Sequence, residues 1–188
     1  MSNTSDLTGR TVAIIATNGF EDSELTSPRD AIRDAGGTAV LVTPGGETVT
    51  GKNGTELAAD TATANAASAG YDALVLPGGT SNADALRLDQ DAVALVKDIA
   101  TSGKPVAVIC HGAWILTDAD VLAGRTLTSF PSLRTDLVNA GASWVDEEVH
   151  IDGGDGAKVG TLVSSRTPDD LPAFNGALVA AFAVADEK

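Results

Sequence analysis

A chain of 188 residues can bury a full core as one domain, and its single cysteine cannot close an internal disulfide, so nothing in it demands an oxidising compartment. Twenty-six acidic residues against twelve basic ones give a net charge of −14, which repels nucleic acid and anionic membranes and argues against both as partners. No stretch approaches the ~20 apolar residues of a membrane span, and residues 1–8 carry no apolar signal core, so the expected location is the cytoplasm.

Residues 1–9 are expected to be a flexible lead-in to one domain over 10–188. Four apolar runs follow, at 11–16, 38–43, 72–76 and 105–109. The first, third and fourth are near-continuous, the pattern of parallel strands covered on both faces. Residues 24–35 read as a helix with Leu25, Ile32 and Ala35 on one side, Pro28 confined to the region of the first turn, and Gly36-Gly37 ending it. Residues 48–57 read as a small hairpin turning at Asn53-Gly54. Residues 92–100 repeat a helical pattern with Val93, Val96 and Ile99, stopped by Gly103-Lys104-Pro105. The glycine-rich stretch 150–160 reads as a solvent loop leading into a last strand at 160–164; its aspartates lack the register of a calcium loop, and no metal is expected. His150 reads as a surface or strand residue, and a final helix over 168–185 is apolar enough to pack back on the sheet. Strand and helix alternating at this rhythm predict a doubly wound α/β fold with a mainly parallel sheet.

The sharpest feature lies at 104–112, Lys-Pro-Val-Ala-Val-Ile-Cys-His-Gly. A buried-strand run ends on the only cysteine, and Gly112-Ala113-Trp114-Ile115-Leu116 resumes as the start of a helix. A residue held between strand and helix sits on a sharp turn, its side chain in the open at the carboxyl edge of the sheet. The N–H groups of the helix start, Gly112 and Ala113 among them, and the positive dipole end are expected to favour a thiolate and to receive an oxyanion. Cys110 thus reads as an activated nucleophile rather than a small buried hydrophobe, with His111 beside it.

Ligands of such sheets sit outside the carboxyl ends of the strands. The first run ends in Thr17-Asn-Gly-Phe-Glu-Asp22, the third in Leu76-Pro-Gly-Gly-Thr80, the fourth in Cys110-His111. Glu21 is placed to share a proton with the sulfur or to act as general acid/base on substrate. Gly78 and Gly79 let backbone N–H groups approach a carbonyl oxygen closely, as an oxyanion hole requires. The acidic residues are scattered rather than gathered in a tail, and lysine is scarce, a composition like that of salt-adapted proteins; a halophilic source is expected.

Phe20-Glu21-Asp22-x-Glu24-Leu25, Leu74-Val-Leu-Pro-Gly-Gly79, Ala107-Val-Ile-Cys-His-Gly112 and Asn139-Ala-Gly-Ala-x-Trp144-Val-Asp together are similar to the PfpI-type branch of the superfamily that includes the Parkinson-associated deglycase. Thr50-Gly-Lys-x-Gly54 and Val163-Ser-Ser-Arg-x-Pro168 add to the match. The resemblance implies a flavodoxin-like sandwich assembled as a homodimer or larger homo-oligomer. It implies Cys110 as nucleophile, Glu21 as the carboxylate touching its sulfur, His111 as the neighbouring imidazole and the Gly79 amide as oxyanion donor. In peptidase-like members a glutamate from a neighbouring subunit, placed after the double glycine, orients the histidine. Here Asp84 stands nearest that place, in a segment one residue longer than the pattern and with a side chain one methylene shorter.

Three functions fit these residues. The first is an enzyme acting on reactive carbonyls. Cys110 would add to a small dicarbonyl such as methylglyoxal, or to its adduct on a glycated protein, and release a hydroxy acid without any cofactor. The second is a cysteine peptidase whose Cys-His-acid triad closes across a subunit interface. The third is a stress protein whose cysteine senses oxidant, or a holdase chaperone.

Overall fold

The computed structural model describes residues 6–154 and 160–184. Along the chain run β1 (Thr11–Ile15), α1 (Asp22–Asp34), β2 (Thr38–Thr43), the short strands β3 (Val49–Thr50), β4 (Glu56–Leu57) and β5 (Thr61–Ala62), and β6 (Ala73–Leu76). Then come α2 (Thr80–Leu86), α3 (Gln90–Ala100), β7 (Val106–Ile109), a 3-10 turn over Cys110–Trp114 and α4 (Ile115–Asp118). The remainder is β8 (Thr126–Leu127), α5 (Arg134–Asn139), β9 (Ser143–Trp144), β10 (Val149–Asp152), β11 (Leu162–Ser165) and α6 (Leu171–Ala183).

Seven strands form one sheet in the order β10-β11-β7-β6-β1-β2-β5, parallel throughout except for the antiparallel edge strand β10. The strands β1, β6 and β7 are buried along their length because successive side chains serve two cores. Ala13, Ile15, Leu74, Leu76, Val106 and Val108 face one side, with Leu95, Val96 and Ile99 of α3. Val12, Ile14, Val75, Ala107 and Ile109 face the other, with Leu25 and Ile32 of α1 and Phe174, Leu178 and Phe182 of α6. This is the doubly wound sheet that the alternation predicts, in the flavodoxin-like sandwich that the resemblance implies.

The chain leaves β1 toward β2 on one side, and returns after β5 to lay β6 and β7 on the other. The carboxyl end of β1 therefore borders the point where strand order reverses, the place where such sheets open a crevice. The segments that follow β1, β6 and β7 meet there.

Several expectations shift in detail. Leu7 is fully buried and its N–H donates to the Ala35 carbonyl at 2.7 Å, so the chain is tied to the domain from Asp6 onward; residues 1–5 lie outside the described ones. Helix α1 begins at Asp22, two residues earlier than the pattern suggests, and continues through Pro28, which is buried within it. It closes on Gly36, whose φ of +88° suits a residue without a Cβ. The hairpin at 48–57 forms as β3 against β4. In the glycine-rich stretch, residues 149–152 are the edge strand rather than loop, carrying His150 in register with Ser164, while 155–159 lie outside the described residues. The last strand lies at Leu162–Ser165 and the last helix starts at Leu171, after one 3-10 turn. Among the described residues no helix is long and apolar enough to cross a membrane.

Candidate active site

Strand β7 delivers Cys110 onto a backbone that only two described non-glycine residues adopt: its φ is +60°. A β-carbon in that region is strained by about 1–2 kcal/mol, and such strain persists only where the surroundings hold it. Three contacts do so. The Cys110 carbonyl accepts from the Phe130 N–H at 3.2 Å. Gly112 presses against β6 so closely that a Cβ there would collide with the Leu76 and Pro77 carbonyl oxygens. Gly78 lies so near that its own Cβ would meet Cys110 Cβ and the Glu24 carboxylate.

The carboxylate beside the sulfur is Glu24, on the first turn of α1, and not Glu21. Glu24 is wholly buried. Its Oε2 accepts from the Gly78 N–H at 2.9 Å, while Oε1 is buried with no fixed donor, leaving the Cys110 thiol as the group with which it shares a proton. Burial first, then the nearby Glu21 charge, pushes the Glu24 carboxyl up to about 8. Burial, then the Glu24 charge, also pushes the Cys110 thiol up, against the opposing pull of the His111 and Gly79 amides that face the sulfur. The expected depression of the thiol by a helix dipole is thus overturned. The elbow leads into a five-residue 3-10 turn and only a four-residue α4, too short for a sizeable dipole, while burial is nearly complete. The Cys110–Glu24 pair keeps at least one proton through the neutral range.

Glu21 lines the same cleft, but its carboxylate is held in an ion pair with Lys52 Nζ. The β3–β4 hairpin carries that lysine, and backbone bonds stitch it onto the loop after β1. Gly19 N–H donates to the Thr50 carbonyl at 2.8 Å and Lys52 N–H to the Phe20 carbonyl at 2.9 Å. Asp22 accepts from the N–H groups of Asn53 at 2.9 Å and Thr55 at 3.0 Å.

His111 stands where the sequence puts it, Nδ1 3.3 Å from Cys110 Sγ and the ring stacked on Phe130 at 4.6 Å. Burial, then the Lys52 charge, holds its pKa down, so the ring is neutral at neutral pH. Nε2 lies 3.3 Å from Ser132 Oγ and 3.5 Å from Thr80 Oγ1. Among the described residues those hydroxyls, not a carboxylate, meet the outer nitrogen; Asp84 is exposed on α2 and makes no bond to His111.

The glycine donors divide. The Gly79 N–H faces the sulfur, whereas the Gly78 N–H is consumed by Glu24. Gly112 and Ala113 are buried behind the elbow and are not among the residues that wall the cleft. The cleft encloses about 400 Å³ between Gly19, Glu21, Lys52, Gly79, Cys110 and His111, with Phe130 and Pro168 as its apolar side. The arrangement offers a nucleophile, a buried proton carrier, an amide donor and a neutral imidazole around one small cavity.

Sequence reasoning missed Glu24, Lys52 and Ser132. A signal for Glu24 exists: with Leu25, Pro28 and Ile32 it shares the buried stripe of α1, and a carboxylate on an apolar stripe is expensive unless used. Lys52 and Ser132 reach the site only through tertiary docking, and no local pattern marks them.

Residues 10–181 match the model of the DJ-1/PfpI family. Protein/nucleic acid deglycase 2 of Escherichia coli is 45% identical over 166 residues, 87% of this chain and 92% of that protein. A protein of Bacillus subtilis named as a candidate cysteine protease, YraA, is 41% identical over 87% of this chain and 93% of its own length. Among solved structures, Drosophila melanogaster DJ-1beta superposes with a TM-score of 0.81 at 29% identity, over 93% of this chain and 90% of that one.

Proposed function

The chain belongs to the DJ-1/PfpI family, and from that premise we propose a cysteine-dependent hydrolase/lyase acting on reactive carbonyls, as a glyoxalase or protein deglycase. The observation that carries the reading is the buried Glu24 carboxyl against the Cys110 sulfur, poised to exchange protons near neutral pH.

With methylglyoxal the steps balance without an external oxidant. Cys110 Sγ forms a bond to the aldehyde carbon, the carbonyl π-pair moves to oxygen facing the Gly79 N–H, and the thiol proton, relayed by Glu24, ends on that oxygen. The hemithioacetal carbon then loses its proton to Glu24. Glu24 accepts it in its ionised form, which a pKa of about 8 keeps within reach near neutrality, and returns it to the adjacent carbon as the first hydroxyl gives its proton to the second oxygen, so one carbon is oxidised and its neighbour reduced. Water cleaves the resulting thioester, releasing lactate and restoring the thiol. On a glycated protein the sulfur would replace the amine or thiol at the adduct carbon, the bond to that leaving group breaking as it takes the thiol proton through Glu24. The neutral His111 fixes the sulfur by its Nδ1 and orients the attacking water.

A cysteine peptidase is the second reading, favoured by the name of the Bacillus subtilis relative. It needs a carboxylate on His111 Nε2, which a second copy of the chain would have to bring through its Asp84. Assembly as a homo-oligomer belongs to both readings.

The test is lactate formation from methylglyoxal in molar KCl by the wild type beside Cys110→Ala and Asp84→Ala. Lactate from the wild type, none from Cys110→Ala and a rate within about twofold for Asp84→Ala are expected. A folded wild type without turnover would overturn the carbonyl reading. Peptide hydrolysis that disappears in Asp84→Ala would install the peptidase reading instead.

A further inference from the structure

Asn82 is buried on α2, 1% exposed, and does not line the cleft. Its carboxamide is nonetheless fully engaged. Oδ1 accepts from the Thr17 N–H, just beyond β1, at 2.7 Å. Nδ2 donates to the carbonyls of Pro77 at 3.2 Å and Gly78 at 3.1 Å. The group cannot be turned over, because the reverse orientation would aim an N–H₂ at an N–H and an oxygen at two carbonyl oxygens.

The Gly78–Gly79 peptide is the unit that this arrangement holds. A trans peptide points its C=O and its N–H in opposite directions, so fixing one fixes the other. Here the Gly78 carbonyl is drawn by Asn82 Nδ2 and by the Glu21 N–H at 3.1 Å, and the Gly79 N–H consequently faces Cys110 Sγ. Nothing in the conformational preference of the peptide would hold it so. Gly79 has a φ of +94°, and two successive glycines allow the plane between them to rotate freely. A Cβ on Gly79 would collide with the Gly19 carbonyl and the Glu21 N–H, so a bulkier residue cannot supply the stiffness.

We propose that Asn82 is a positioning residue: it locks the Gly78–Gly79 peptide so that the Gly79 N–H is held toward the Cys110 sulfur and the oxyanion formed there. The role rests on Cys110 as the reacting group. Asn82 acts through the peptide and touches neither substrate nor sulfur.

The test separates this role from packing and from the identity of the substrate. The protein has one cysteine, so alkylation by iodoacetamide reports on Cys110 alone, even where no carbonyl substrate is turned over. The rate is followed from pH 6 to 10, with Glu24, Glu21, Lys52 and His111 unchanged as the charged and titratable groups facing the sulfur. Asn82→Ala removes both donors. Asn82→Asp keeps the size and the acceptor for Thr17 but sets a carboxylate against two carbonyl oxygens. Both are expected to slow alkylation about tenfold across the range, and to lower kcat on methylglyoxal by a similar factor with KM within about twofold, as loss of aim at an amide donor requires. The control is Leu86→Ala, a buried apolar truncation on the same helix, expected to lower Tm and leave the alkylation profile as in the wild type. Wild-type alkylation in either folded Asn82 variant overturns the proposal, as does an equal slowing by Leu86→Ala. So does failure of both Asn82 variants to fold, which makes the residue structural. Slowed alkylation with no methylglyoxal turnover by the wild type would keep the positioning role and discard only the carbonyl reading.

Discussion

Glu24 carries two opposed demands. As a proton carrier it must be able to change charge; as a buried group it resists ionising. Its carboxyl titrates near 8 in the fold, against 4.5 for an unperturbed glutamate. The unfolded chain therefore releases this proton first, and the contribution to stability is complete below about pH 4.5 and declines as pH rises through 8. The loss is on the order of a few kcal/mol over that interval. Glu24→Gln, which cannot ionise, should flatten the fall in urea-unfolding free energy between pH 5 and 9 while reducing turnover by about 100-fold or more. A variant with an unchanged pH slope would show that Glu24 is not the titrating group. The sequence makes the cysteine legible because a β-branched run stopping on it is a local pattern. Choosing Glu24 over Glu21 requires knowing that α1 starts at Asp22, and helix ends are the least legible part of a pattern, so the carboxylate at the loop tip looks nearer the sulfur than the one on the helix.

At the scale of elements, the elbow and the hairpin are made in different ways. The elbow is a packing object. Gly112 lets the turn after β7 lie directly on the Leu76 and Pro77 carbonyls, and both are backbone that cannot swing aside. Gly112→Ala should lower unfolding free energy by about 1–3 kcal/mol and depress turnover, because the elbow must lift away from β6. An alanine variant with wild-type Tm and kcat would refute this close approach. The hairpin is a hydrogen-bonded object that sends Val49 into the core and lays Leu57 against it. The Asn53-Gly54 signal makes its existence legible, but its docking on Asp22 depends on residues some thirty positions upstream. For the same reason Lys52 looks like an ordinary surface lysine until the fold is assembled.

Across the whole molecule, the doubly wound order follows from runs covered on both faces, and that pattern is as visible in sequence as in the finished sheet. Charge is distributed differently. An excess of acid amounting to −14 surrounds a cleft in which Lys52 balances Glu21 and Glu24 holds its proton. Self-repulsion among the exposed carboxylates falls as the Debye length shrinks from about 10 Å at 0.1 M salt to about 3 Å at 1 M. Tm should therefore rise by several degrees between 0.1 and 2 M KCl, and a flat or falling Tm would remove salt adaptation as the meaning of the acidic surface.

The hairpin that brings Lys52 to the cleft leaves and rejoins the chain between β2 and β5, which pair with each other irrespective of what lies between them. The lysine on the cleft wall is thus lodged in an interlude of the polypeptide, outside the sheet that fixes Cys110. An exchanged side chain at 52 redresses the entrance while the sheet keeps Cys110 in place, and it also changes the charge that acts on His111 and Glu24. A lineage built on this architecture can change which molecules are admitted, and retune the proton exchange beside the sulfur, while inheriting the sheet that seats the cysteine.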